Sequence, residues 1–143
     1  MKRIYHVVVD TNVIVAALRS NNGASNKILS LIDNNLYKTH SSVALILEYE
    51  DVLKRFTKEI KLSINDINIF IDSLVMASER HKLFYLWRPC LNDPGDEMIL
   101  ELAVNANVDY IITHNIKDFN QVKSFKFRAI TPKDFLELLG GKL

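Results

Sequence analysis

Asp10 follows Val7-Val8-Val9 and precedes Thr11-Asn12, so a carboxylate stands where a strand should give way to a helix. Residues 4–9 are largely apolar and β-branched, the composition of a strand covered on both faces. Thr11 and Asn12 bring helix-starting chemistry ahead of the apolar stretch 13–18. Ligands of open α/β sheets bind outside the carboxyl ends of the strands. A carboxylate at that edge can ligate a divalent cation, or it can simply cap the helix that follows. Other acids must decide between the two.

Asp96 shares a helical stripe with Ile99, Leu100 and Ala103, the side expected to pack on a sheet. An acid facing the core from a first turn needs a partner, because burying a bare charge is costly; the simpler role is interaction with the helix dipole. Asp93, just before Pro94, reads as an N-cap with proline at the first helical position. Glu48 and Glu50 flank the apolar stripe centred on Tyr49, and helical geometry does not choose between them. Asn115 follows the apolar run Ile111-Ile112, with His114 before it and Asp118 three residues on. Asn115 could offer a carbonyl to a metal but no negative charge.

The elements that must position these groups alternate between strand and helix, which favours a mostly parallel sheet flanked by helices. Strands are expected at residues 4–9, 36–40, 83–87, 108–113 and 127–130. Helices are expected at 24–34, at 42–56, from the N-cap Ser63 to about Arg80, at 94–105, and from Pro132 to just before Gly140-Gly141. The fold class is therefore α/β, a three-layer α/β/α sandwich around a five-stranded, Rossmann-like sheet. Residues 1–143 read as a single domain.

Composition narrows the function classes. At 143 residues, with 48% hydrophobic and 24% charged residues, the chain can build a core without staples. Cys90 is the one cysteine, so no internal disulfide is expected and a reducing, cytoplasmic setting is natural. No apolar run is long enough to span a bilayer, and Met1-Lys2-Arg3 leads into a stretch too short and acidic-ended for a signal peptide. Four glycines make neither a dinucleotide fingerprint nor a P-loop. A net charge of +1 argues against coating nucleic acid by electrostatics alone, yet it is compatible with a nuclease whose acids offset basic residues elsewhere. Lys54, Arg55, Lys58 and Lys61, and later Lys117, Lys123, Lys126, Arg128 and Lys133, are possible phosphate contacts or ordinary solvated faces.

Taken together, Val9-Asp10-Thr11-Asn12, Glu48-Tyr49, Asp96 leading Ile99-Leu100-Glu101-Leu102-Ala103, and the segment from Tyr110 through Thr113-His114-Asn115 to Asp118-Phe119 resemble the PIN domain family. The likeness is closest to the toxin components of toxin–antitoxin systems and covers nearly the whole chain. The resemblance implies acids gathered at one sheet edge around magnesium or manganese, with Asp10, Glu48 and Asp96 as the principal three. It is this resemblance that selects Glu48 over Glu50. Asn115 departs from the fourth aspartate of many members, although relatives of this branch also carry asparagine there.

The expected function is a metal-dependent endoribonuclease cutting single-stranded RNA. Asp10 and Asp96 would ligate the ion, with Glu48 completing the site partly through water. The ion would activate a water in line with the scissile phosphate. Thr11 and Asn115 would position water or phosphate, supported by Asn12, Asp93 and Asp118. The resemblance further implies a small antitoxin protein and a homodimer as partners. The rival reading is a weak or inactive module of the same fold that binds RNA or a protein. A phosphoacceptor signalling domain fits less well, because paired acids after the first strand and a lysine ending the fifth are both missing.

Overall fold

The computed structural model describes residues 3–82, 94–119 and 126–140. Its strands are β1 (Tyr5–Val9), β2 (Tyr37–Ser42), β3 (Glu79–His81), β4 (Tyr110–Ile112) and β5 (Arg128–Ile130). Every pairing is parallel, in the order β3-β2-β1-β4-β5. The chain first builds outward from β1 to β3, then returns to lay β4 on the other side of β1. The sheet's topological switch point thus falls between the carboxyl ends of β1 and β4, where α/β sheets hold ligands.

The helices are α1 (Thr11–Arg19), α2 (Ala24–Ser30), α3 (Val43–Arg55), α4 (Thr57–Ile60), α5 (Ile64–Ala77), α6 (Pro94–Asn105) and α7 (Pro132–Gly140). Parallel crossovers are right-handed, so α1 to α5 lie on one face and α6, on the return crossover, lies on the other. Phe135 of α7 packs edge-on against Tyr5, Tyr37 and Tyr110 of three adjacent strands, with centroids 5.5–6.2 Å apart. Central β1 is buried accordingly, with Val7 and Val8 fully inaccessible. Among the described residues no helix is long and apolar enough to cross a membrane.

Three local expectations need correction. The helix from Ser63 ends at Ala77 rather than near Arg80, because Ser78 turns extended and binds Ser41 across the sheet, hydroxyl to hydroxyl at 2.7 Å. Glu79–His81 then forms the strand beside β2; the strand expected at 83–87 lies outside the described residues. The second strand runs two residues further, to Ser42, whose hydroxyl caps α3 by accepting from the Leu45 amide. The expected helix at 24–34 closes at Ser30, and residues 31–35 form turns ending in left-handed Asn35. Elsewhere Ser63 builds the anticipated N-cap as a full capping box with Asp66.

Strand alternation puts His6 of β1, His40 of β2 and His81 of β3 on the face away from Phe135. Burial, together with the nearby His6, His81 and Lys38, pulls His40 from its ordinary 6.5 down to about 4, against the opposing pull of Glu79. A histidine held below its unfolded pKa takes up its proton more readily in the unfolded chain. Stability is therefore full above about pH 6.5 and is lost as pH falls toward 4, by at most about 1.4 kcal/mol per pH unit. Urea melts of His40→Gln across this window should show a shallower acid dependence than the parent; identical slopes would show that His40 does not titrate this way.

Candidate active site

Val9 pairs with Ile112 at the ends of β1 and β4, so the next residues on each strand, Asp10 and Thr113, emerge side by side. The Asp10 amide extends the ladder one step by donating to the Ile112 carbonyl at 2.9 Å, and the Thr113 amide donates to Ile130 at 2.9 Å. Backbone pairing therefore places both residues before their side chains interact. The fully buried Thr113 hydroxyl donates to Asp10 Oδ2 at 2.7 Å and accepts from the Asn115 amide at 3.0 Å. Asn12 adds a second link: its amide group donates to Asp10 Oδ2 at 3.1 Å, while its carbonyl accepts from the His114 amide at 3.3 Å.

Asp10 occupies the N-cap position of α1, but its side chain makes no capping bond. Helix capping thus does not account for it. Its carboxylate is nearly inaccessible, and burial raises its pKa above the ordinary value. The Thr113 hydrogen bond opposes that rise, while the charges of Glu48 and Asp118 add to it. Among the described residues neither Asp10 nor Glu48 has an ion pair. A buried acid under the like charges of two further acids is costly, and a nearby cation would offset that cost.

Glu48 reaches this point from α3, accepting a short hydrogen bond from the Thr11 hydroxyl. The Tyr49 hydroxyl beside it bonds the Val9 carbonyl, pinning α3 to the end of β1. Glu50 instead pairs with Lys54 one turn along, at 3.0 Å. Glu48 thus lies on the side of α3 that meets α1, and Glu50 lies on another side. Asp118 comes from the single 3-10 turn Ile116–Asp118 after β4, near enough for its charge to act on Asp10. Asn115 is exposed.

Asp96 is half-buried in the first turn of α6, which packs on β1 and β4. The end of α6 leads directly into β4, with the Val108 amide bonded to Ala103. The helix therefore runs antiparallel to the strands and its first turn lies at their carboxyl edge. Asp93 lies outside the described residues. Thr113 and Tyr49 are the two contributors that sequence reasoning did not single out. Thr113 had a usable signal, a hydroxyl residue one position past β4 as Asp10 is one past β1. The Tyr49 bond to the backbone had none.

An all-oxygen donor set of carboxylates fits a hard divalent cation of the magnesium and manganese class. Comparisons agree with the architecture. The family model for the PIN domain matches residues 6–117. No curated protein matches the chain. Solved structures similar to it include VapBC2 from Rickettsia felis bound to a DNA fragment from its promoter, at 15% identity over 88% of this chain and 98% of that one, TM-score 0.61. VapBC-1 from nontypeable Haemophilus influenzae follows at 16% identity over 90% and 98%, TM-score 0.60. DNA-bound VapBC from Salmonella typhimurium matches at 14% identity over 90% and 99%, TM-score 0.61.

Since the folded-state pKa of Asp10 is raised, its charged form lowers stability at pH values above that pKa, and protonation on acidification relieves the cost. Asp10→Asn in EDTA at pH 7 should melt at or above the wild-type temperature. Thr113→Val should cost about 1–3 kcal/mol, because Asp10 loses a buried donor. A marked destabilisation of Asp10→Asn with an unaffected Thr113→Val would reverse this account.

Proposed function

The chain belongs to the PIN domain family, and on that premise we propose that it is a single-domain, divalent-metal-dependent endoribonuclease acting on single-stranded RNA, as the toxin of a toxin–antitoxin pair. The observation that carries the proposal is the buried Asp10 carboxylate at the switch point, with no ion pair among the described residues and with the charges of Glu48 and Asp118 acting on it. In this reading Asp10 and Asp96 hold magnesium or manganese, with Glu48 and Asp118 completing the site in part through water. When bound, such an ion supplies Lewis acidity that activates water and offsets charge on the scissile phosphate.

The chain's own residues set the geometry. Thr113 and Asn12 hold Asp10 in one rotamer from two sides, so it need not reorganise when a cation arrives. Thr11 does the same for Glu48. In this reading exposed Asn115, whose amide bonds Thr113, contacts water or a phosphate oxygen. Lys117, exposed in the same turn as Asp118, supplies a positive charge at the rim for the RNA backbone.

Partners follow from the neighbours, which are VapBC assemblies, and we extend a small antitoxin partner to this chain on that basis. Exposed Val43 and Leu47 on α3 and Met76 on α5 offer apolar surface suited to a protein partner. A homodimer and a cytoplasmic location complete the proposal. The alternative, a module that binds RNA or protein without cutting, rests on Asn115 standing where an acid is common.

Purified protein should cleave single-stranded RNA with magnesium or manganese and lose the activity in excess EDTA. Asp10→Asn and Asp96→Asn should each abolish it in a gel assay. Cleavage that persists in EDTA or in both variants would eliminate the mechanism; RNA binding without cleavage in the wild type would favour the alternative. Filling the site should also relieve the repulsion among its acids. A divalent ion at about 100 times its dissociation constant should add about 2.7 kcal/mol, raising the melting temperature of wild type but not of Asp10→Asn. A flat magnesium titration would mean that no site forms.

A further inference from the structure

The histidine row on the other side of the sheet has no part in the acidic site. His6 Nδ1 lies 2.8 Å from His40 Nε2, and His40 Nδ1 lies 2.7 Å from His81 Nε2. Glu79 Oε2 is 4.0 Å from the same His40 Nδ1. One ligand atom each from His40, Glu79 and His81 falls within 4.8 Å of the others. The β2–β3 register produces this grouping: Glu79 pairs with His40, and His81 follows two residues later on the same face.

We propose that His40, Glu79 and His81 form a second metal site, selective for a zinc-class transition ion and separate from the carboxylates around Asp10. Tetrahedral zinc with bonds of about 2.0–2.1 Å holds neighbouring donor atoms about 3.3 Å apart. The two imidazole nitrogens need to part by about 0.6 Å and the carboxylate needs to close by about 0.7 Å on the same geometry. Both adjustments fall on mobile groups, since Glu79 is exposed and His81 half-buried at the end of a three-residue edge strand. The buried His40 can stay where it is.

Its far nitrogen strengthens the assignment. With Nδ1 as ligand, the remaining proton of His40 sits on Nε2 and donates to His6 Nδ1, the outer hydrogen bond that orients metal-bound imidazoles. Each of the three rings then carries one proton: the proton now shared between His40 and His81 moves to His81 Nδ1, so the ion takes its place between the two rings without any proton being released. Lys38 on the same strand is turned away, donating to the Ala77 carbonyl at 3.2 Å. Exposed Glu79 and half-buried His81 leave the ion a route from solvent. Two imidazoles and one carboxylate suit zinc, cobalt or nickel, whereas magnesium prefers oxygen and retained water. The bound ion would clip the edge strand β3 onto β2.

Calorimetric titration of the full chain with zinc chloride in excess magnesium tests this. Wild type and Asp10→Asn should both bind one zinc per chain, and the imidazole NMR signals of His40 and His81 should move while those of His114 stay. Affinity should fall about 10- to 100-fold in His6→Ala and at least as far in Glu79→Gln and His81→Ala. No zinc binding in excess magnesium, binding that vanishes in Asp10→Asn, or undiminished affinity in Glu79→Gln would each overturn the site. Glu79 is exposed, so its variant carries the test even if His81→Ala is poorly folded. Because the acidic site is intact in these histidine-site variants, metal-dependent RNA cleavage in magnesium fails or survives independently of this result.

Discussion

The parallel pairing of β1 with β4 is the constraint on which the acidic site depends. Three residue pairs, ending at Val9 and Ile112, align two strands that are about a hundred residues apart in the chain. Asp10 and Thr113 continue this alignment by one residue, and their hydrogen bond is the consequence. Everything else is attached to that point: α1 begins from it, Asn12 bridges it, and Tyr49 anchors α3 to the carbonyl immediately before Asp10. Slipping the register by one residue would turn each side chain to the opposite face and dissolve the site.

This arrangement works against stability locally. A carboxylate buried beside other carboxylates is a group that a protein selected only for stability would replace. The surrounding structure tolerates it because the backbone around Asp10 is held by ladder bonds that do not depend on its charge, and because Val7, Val8, Ile111 and Ile112 bury apolar surface on both sides of the sheet. The strain is electrostatic and confined. A cation bound there, as proposed, would remove it at its source, and the contacts that hold Asp10 rigid would then also serve to bind it.

The sheet separates two kinds of donor. Asp10, under the charges of Glu48 and Asp118, stands where strands β1 and β4 end, and imidazoles run diagonally across β1, β2 and β3 on the face opposite Phe135. Hard and borderline cations prefer different donors, so the two proposed sites would not compete for the same ion. One backbone pattern thus supports two chemically distinct environments, by the alternation of side chains along β2 and β3 and by the common edge at which β1 and β4 stop.

Much was legible in the amino-acid order itself. The apolar run before Asp10, the Ser63 cap, the Pro132 helix start and the alternation of strand with helix follow from local sterics and hydrophobic periodicity, which act over a few residues. They determined an α/β sandwich and marked Asp10 as exceptional. What local patterns do not encode is which distant groups meet. Helical geometry alone left Glu48 and Glu50 equivalent; that Glu48 meets Thr11 of α1 while Glu50 pairs with Lys54 along α3 is seen only in the tertiary structure. Ending α5 at Ala77 required the Ser41–Ser78 contact, and the roles of Thr113 and of the His6–His40–His81 row required the strand register. Register and crossover direction are properties of long-range pairing, whose energy is gained only when the chain closes on itself. For that reason the tertiary structure alone decided them.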